Sequence, residues 1–245
     1  MKRLDSIIDY SGQSKDFNGI YTLPKVFLDE IAEKIISAID KSHLLTPRQI
    51  PILEWLDDGV FGNKLDYKDM IVPKAYGLTS FHNKIIITRD SDSKKLALVR
   101  VEAKTIILND TLPETQLRFT AGHETIHFLL HPYYYESKPT AIAANYNCGN
   151  AISFSPESFW LEWQANYGSG SLLMPRNPLK IIANDFVEKG EILNEHHQKF
   201  WPLIKEVSKV FNVSKFAAGV RLRQNGYITD YPDNYEKILS NATNT

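Results

Sequence analysis

His123-Glu124-Thr125-Ile126-His127 reads H-E-x-x-H, inside an apolar-periodic run that predicts a helix from about 113 to 131. On a helix, positions four apart lie one turn apart on the same face. Two imidazoles held that way can bind one zinc ion, with ring nitrogens roughly 2.0–2.1 Å from the metal. Glu124 follows the first histidine, about 100° further round a helix of ~3.6 residues per turn. It is placed to act on a water molecule rather than to ligate. Alone, the same five residues could be two helix-edge histidines and a solvated acid. The rest of the chain decides between these readings.

A catalytic zinc needs a third protein ligand and one open position. His131, Glu136, Glu157 and Glu162 are the candidates. His131 is eight positions after His123, so roughly 80° off that face and two turns away. It lacks the glycine turn of H-E-x-x-H-x-x-G-x-x-H, and reads as a helix-end histidine near the negative end of the dipole. Glu162 sits in the middle of a second predicted helix, in Trp160-Leu161-Glu162-Trp163-Gln164-Ala165-Asn166. Its carboxylate can reach the histidine pair from the side. Asn166, four residues on, shares that face and can hold a ligand in place. His131 and Asn109 join it as residues placed to support the ligands or meet a substrate.

Arg118-Phe119-Thr120-Ala121-Gly122-His123-Glu124-Thr125-Ile126-His127-Phe128-Leu129-Leu130-His131, then Glu162-x-x-Ala165-Asn166, then Leu172-Leu173-Met174-Pro175 follow one another along the chain. This order resembles the ImmA/IrrE family of zinc metallo-endopeptidases, with R-F-T-x-A-H-E-x-x-H-x-x-x-H, E-x-x-A-N and L-L-M-P. The strand over 104–109 and the tail Phe211-Asn212-Val213-Ser214 through Arg221-Leu222 to Gly226-Tyr227-Ile228 are also similar, so the likeness covers roughly 65–230. The resemblance implies an α+β, gluzincin-like core: a small mixed or antiparallel sheet on the H-E-x-x-H helix, then a helical C-terminal part. It implies one Zn2+ on His123, His127 and Glu162, with Glu124 as general base. It also implies a regulatory protease whose substrate is a protein such as a DNA-binding repressor of a mobile element or stress response. The chain departs from the pattern at Thr125-Ile126, Gly122, Gly168 and Gly170, and in the long gap between His127 and Glu162. Mid-helix glycines each cost about 0.5–1 kcal/mol relative to Ala, so the Glu162 helix is expected to be loose or closely packed.

The chain has 245 residues, 43% hydrophobic and 23% charged, with net charge −1. That suits one large domain, or one domain with an appendage, with a sizeable core. No basic field invites nucleic acid. The single cysteine, Cys148, cannot form an internal disulfide, which fits a reducing compartment. No signal-peptide pattern and no run of ~18 apolar residues occurs, so a cytoplasmic address without membrane contact is expected.

Three regions are expected: an N-terminal helical segment over 1–64, a peptidase domain over 65–230, and a tail over 231–245. Residues 132–154 form a lid or rim within the peptidase domain, and 178–228 its helical end. An amphipathic helix follows Pro24, with Phe27, Leu28, Ile31, Ala32, Ile35, Ile36 and Ile39 on one side. Thr46-Pro47 reads as a cap and first-turn proline for a short helix through Trp55. Residues 57–75 show no clear pattern. Strands are expected at 84–89, 96–102 and 104–109 in one small sheet, the last offering an open edge to an extended substrate. Thr111 and Glu114 resemble a capping box, with Pro113 in the first turn, and Ser155-Pro156-Glu157 starts the Glu162 helix. Tyr133, Tyr134, Tyr135, Tyr167 and His131 are candidate oxyanion donors. Two rival readings remain: a zinc-containing protein that sequesters a repressor without cleaving it, and a DNA-binding protein. The second rests on 201–225 as a helix-turn-helix bearing Lys215, Arg221 and Arg223.

Overall fold

The computed structural model describes residues 7–90, 92–138, 143–145, 156–188 and 200–228. The architecture is α+β. Helix α1 (Lys25–Asp40) buries the predicted stripe: Leu28, Ile31, Ala32, Ile35 and Ile36. It packs against α5 (Pro156–Leu173). The sheet-forming residues divide into two sheets. Strands β1 (Lys64–Tyr67), β6 (Thr105–Leu108), β3 (Gly77–Ser80) and β7 (Ala143–Asn145) lie in that order, with β1 parallel to β6 and the other neighbours antiparallel. Strands β2 (Asp69–Val72), β4 (Lys84–Arg89) and β5 (Leu96–Val101) form a separate antiparallel sheet.

The two sheets differ in burial because they differ in cover. Every residue of β3 and β6 is buried, as expected for strands with cover on both faces. Helix α3 (Glu114–Leu130) lies on this sheet, against β3, β6 and β7. In β5, exposed positions alternate with half-buried ones up to the buried Val101, and Leu96 and Leu98 point outward. Helix α3 is itself buried nearly all round from Arg118 to Leu130, so its sequence carries only a weak amphipathic stripe.

Helices α3 and α5 approach closely because glycines stand at the crossing. A Cβ on Gly122 would lie 2.6 Å from Ser169 Oγ, and one on Gly168 would lie 3.0 Å from Ile126. Close packing, not looseness, therefore explains Gly168. Helices α6 (Arg176–Glu188), α7 (Trp201–Phe211) and α8 (Lys215–Gln224) complete the C-terminal part, and Leu203, Val207, Phe211, Ala218 and Leu222 join one core with α1, α3 and α5. Ser214 caps α8 by accepting from the Ala217 amide. Arg221 points inward to Asp29 Oδ1 at 2.8 Å and to the Met174 carbonyl at 3.1 Å. It is not presented on a helix-turn-helix surface. The Met174 carbonyl, orphaned at the end of α5, gains a donor by this contact.

Several expectations are corrected. No helix begins at Thr46-Pro47; α2 spans Ile52–Asp57 with Pro51 at its N-cap position, since proline supplies no amide donor to an earlier turn. The patternless stretch 57–75 contains β1 and β2. The strands over 84–109 fall into two sheets, not one. Strand β6 is interior, paired with β1 and β3, so 104–109 offers no open edge. Thr111 forms no capping box, because its hydroxyl and amide both bond Asn109 Oδ1, and α3 starts with no side-chain cap. Of the 132–154 excursion, the described parts are the one-turn helix α4 (Pro132–Tyr135) and β7, an edge strand of the four-stranded sheet. Cys148 and Ser155 lie outside the described residues. Among the described residues no helix is long and apolar enough to cross a membrane.

Candidate metal centre

Helix α3 presents His123 and His127 on one face, and α5 brings Glu162 across to them. The two Nε2 atoms stand 3.0 Å apart. Glu162 Oε2 is 3.2 Å from His123 Nε2, and Oε1 is 3.3 Å from His127 Nε2. Both rings are fully buried and Glu162 is 9% exposed. Among the described residues, these three form the one group of His, Cys, Asp or Glu donors that could hold a metal ion.

Hydrogen bonds behind the rings decide which nitrogens carry protons. The Tyr21 carbonyl can only accept, so Gln164 turns its amide Nε2 to it at 2.7 Å. That leaves Gln164 Oε1 to accept from His131 Nε2 at 3.1 Å. Burial, aided by the neighbouring His127, pushes the His131 pKa well below its ordinary value, so His131 is neutral and its Nδ1 is a lone pair. His127 Nδ1, 2.9 Å away, is therefore the donor, and His127 Nε2 is a bare lone pair. On the other side His123 Nδ1 donates to Asn166 Oδ1 at 3.1 Å, so it is Nε2 that His123 turns toward His127 and Glu162, bare once the ring is neutral.

With both rings neutral, two lone pairs and a carboxylate thus face one another in a buried space, where a proton or another cation can be held between them. Burial works against charge on Glu162, but the two imidazoles outweigh it and hold its carboxyl below the usual range. Burial also works against charge on His123, and the Glu162 carboxylate reverses it, raising that pKa. The centre attracts positive charge. Donors about 2.0–2.2 Å from a tetrahedral zinc stand roughly 3.3 Å from one another, close to the separations found. The donor set fits a divalent cation of zinc's size and ligand preference.

Glu124 is fully buried but points elsewhere. Thr79 Oγ1 of β3 donates to Glu124 Oε2 at 2.7 Å. Gly77 makes room for it: a Cβ there would lie 2.7 Å from Glu124 Cγ and 2.5 Å from Thr120 Cγ2. The acid, next in the chain to His123, is held against the sheet by a strand.

Residues 82–223 match the model of a peptidase family described as the IrrE N-terminal-like domain. The chain belongs to this family. No curated protein gives a significant match. As an IrrE N-terminal-like protein the chain is a metallopeptidase-type hydrolase by family, and the match spans α3 with its histidines, α5 with Glu162, and the supporting strands β4 to β6.

Other candidates fall differently. Asn166 touches His123. His131 is the C-cap residue of α3, the helix-end position expected for it, and is fully buried between His127 and Gln164. Asn109 bonds the Ala75 carbonyl and Thr111, and so shapes the turn into α3. Among the proposed oxyanion donors, Tyr167 donates to Asp29 at 3.0 Å, Tyr133 accepts from the Tyr21 amide, and Tyr134 accepts from Lys138. Tyr135 is the tyrosine of this set packed against His127, with ring centroids 5.8 Å apart. The sequence reading missed Thr79, Gly77, Gln164 and Tyr21. Gln164 carried a faint signal, being two residues after a candidate ligand; the others carried none.

Proposed function

We propose that this IrrE N-terminal-like protein is a zinc-dependent endopeptidase that cleaves a protein substrate, such as a DNA-binding repressor, in a regulatory role. The convergence of two imidazole lone pairs and the Glu162 carboxylate, with Glu124 held outside that set, carries the reading. His123, His127 and Glu162 hold the ion; Asn166 and the His131–Gln164 relay fix the rings that bind it. Zinc, when bound, supplies Lewis acidity, lowering the pKa of water toward ~7 and polarising the scissile carbonyl. Glu124, oriented by Thr79, takes a proton from the attacking water and passes it to the leaving amine. Burial of the cluster excludes competing solvent and strengthens each electrostatic contact.

The test is incubation of the zinc-loaded protein with candidate repressors, read by mass spectrometry. Fragments that vanish with Glu124→Gln support peptide hydrolysis. An intact complex with no fragments points to sequestration and contradicts it.

A further inference from the structure

A cavity of about 700 Å³ opens between α3, α5 and α8. It adjoins the metal centre through two shared residues. Asn166 lines the cavity and holds His123. Thr120 lines it one turn before Glu124, and a single added Cβ at Gly77 would touch both side chains. The walls are aromatic: Tyr76, Phe119, Trp163, Tyr167 and Phe216. Gly170 contributes no side chain, which keeps the space open. Among the described residues no acid lines it, and its one cation, Arg221, is already neutralised by Asp29.

We propose that this cavity is the specificity pocket of the enzyme, taking one bulky apolar or aromatic side chain of a protein substrate next to the scissile bond. The proposal rests on the peptidase reading. A lysine or arginine side chain would bury its charge here without a counter-ion, and an acid would find only a cation already paired. An aromatic ring meets offset or edge-on partners on several sides. Alanine would leave most of the space unfilled, losing those contacts. The size is that of an ordinary ligand pocket.

The experiment uses zinc-loaded full-length protein and a set of blocked hexapeptides, alanine-based, with one varied residue at each position in turn. Cleavage is followed by mass spectrometry. Phe, Tyr, Trp, Leu or Met at one position flanking the cleaved bond should raise kcat/KM about tenfold or more over Ala, Asp or Lys. Gly170→Leu should invert that selectivity, because its Cβ has room (nearest atom 3.8 Å) while the rest of the side chain fills the cavity. Val220→Trp tests the same space from α8 if Gly170→Leu does not fold. A flat profile, or one unchanged in both variants, overturns the pocket and leaves the peptidase reading standing. If wild type cleaves no peptide, anisotropy of labelled peptides on zinc-loaded Glu124→Gln protein decides. Tighter binding of the Phe peptide than the Ala peptide, lost in Gly170→Leu, supports the pocket even as hydrolysis fails; equal binding overturns it.

Discussion

Helix α5 carries two buried polar clusters, one after the other along its length. Toward its C-terminal end, Tyr167 and Ser171 meet Asp29 of α1 and Arg221 of α8. Asp29 accepts from Ser171, Tyr167 and Arg221 at 2.7, 3.0 and 2.8 Å, and Arg221 also reaches the Met174 carbonyl. One anion faces one cation, and every acceptor has a donor. One turn earlier, Glu162, Gln164 and Asn166 meet the histidines of α3. There the outward nitrogens are satisfied, while the inward face turns two ring nitrogens and a carboxylate toward one another. Both clusters are buried and both contain charge. What separates the two is charge balance: the first is closed by its own ion pair, while the second has the donors to take a cation.

The largest effect expected is on chemistry. Glu124→Gln should reduce peptide hydrolysis by about 10²–10⁴-fold while zinc content, by elemental analysis, stays at the wild-type level. Loss of zinc in that variant would mean that Glu124 belongs to the ligand set. The closed cluster should respond in stability. Arg221→Met leaves Asp29 charged and buried, and should cost about 3–5 kcal/mol in urea unfolding, with zinc per folded chain unchanged. A parallel fall in zinc affinity would show that the two clusters are not independent.

The relay behind His127 should give a smaller, selective change. His131→Asn is expected to weaken zinc binding about 10–100-fold, measured by competition with a chromophoric chelator, while circular dichroism stays the same. Unchanged affinity would show that the ring needs no such support. Smallest are the two glycines of α5. Gly168→Ala forces a methyl against Ile126, costing about 1–3 kcal/mol by overpacking, offset in part by helix propensity. Gly170→Ala meets nothing closer than 3.8 Å and should stabilise by about 0.5–1 kcal/mol. Thermal or urea unfolding of the pair gives the sign of each.

How much of this was legible in the sequence varied with the physics of each part. The histidine spacing and the apolar stripe of α1 follow from helix periodicity, which is local. Glu162 could be nominated because helix position and family pattern agreed. Thr79 and Gly77 could not, because their contact with Glu124 depends on β3 lying between β6 and β7 over α3, and no short-range spacing encodes that order. Strand β1 went unread because its alternation, Lys64-Leu65-Asp66-Tyr67, runs for only four residues; its parallel pairing with β6 supplies the order. Thr111 misled because its hydroxyl donates to Asn109, two residues earlier, instead of turning its oxygen to accept from the helix amides.

Zinc content after equilibrium dialysis, wild type beside Glu162→Ala, tests the metal centre most directly. One ion per wild-type chain, largely lost from the variant while its fold is kept, is the predicted result. A wild-type chain that retains no ion, or a Glu162→Ala chain that retains as much as wild type, would contradict it.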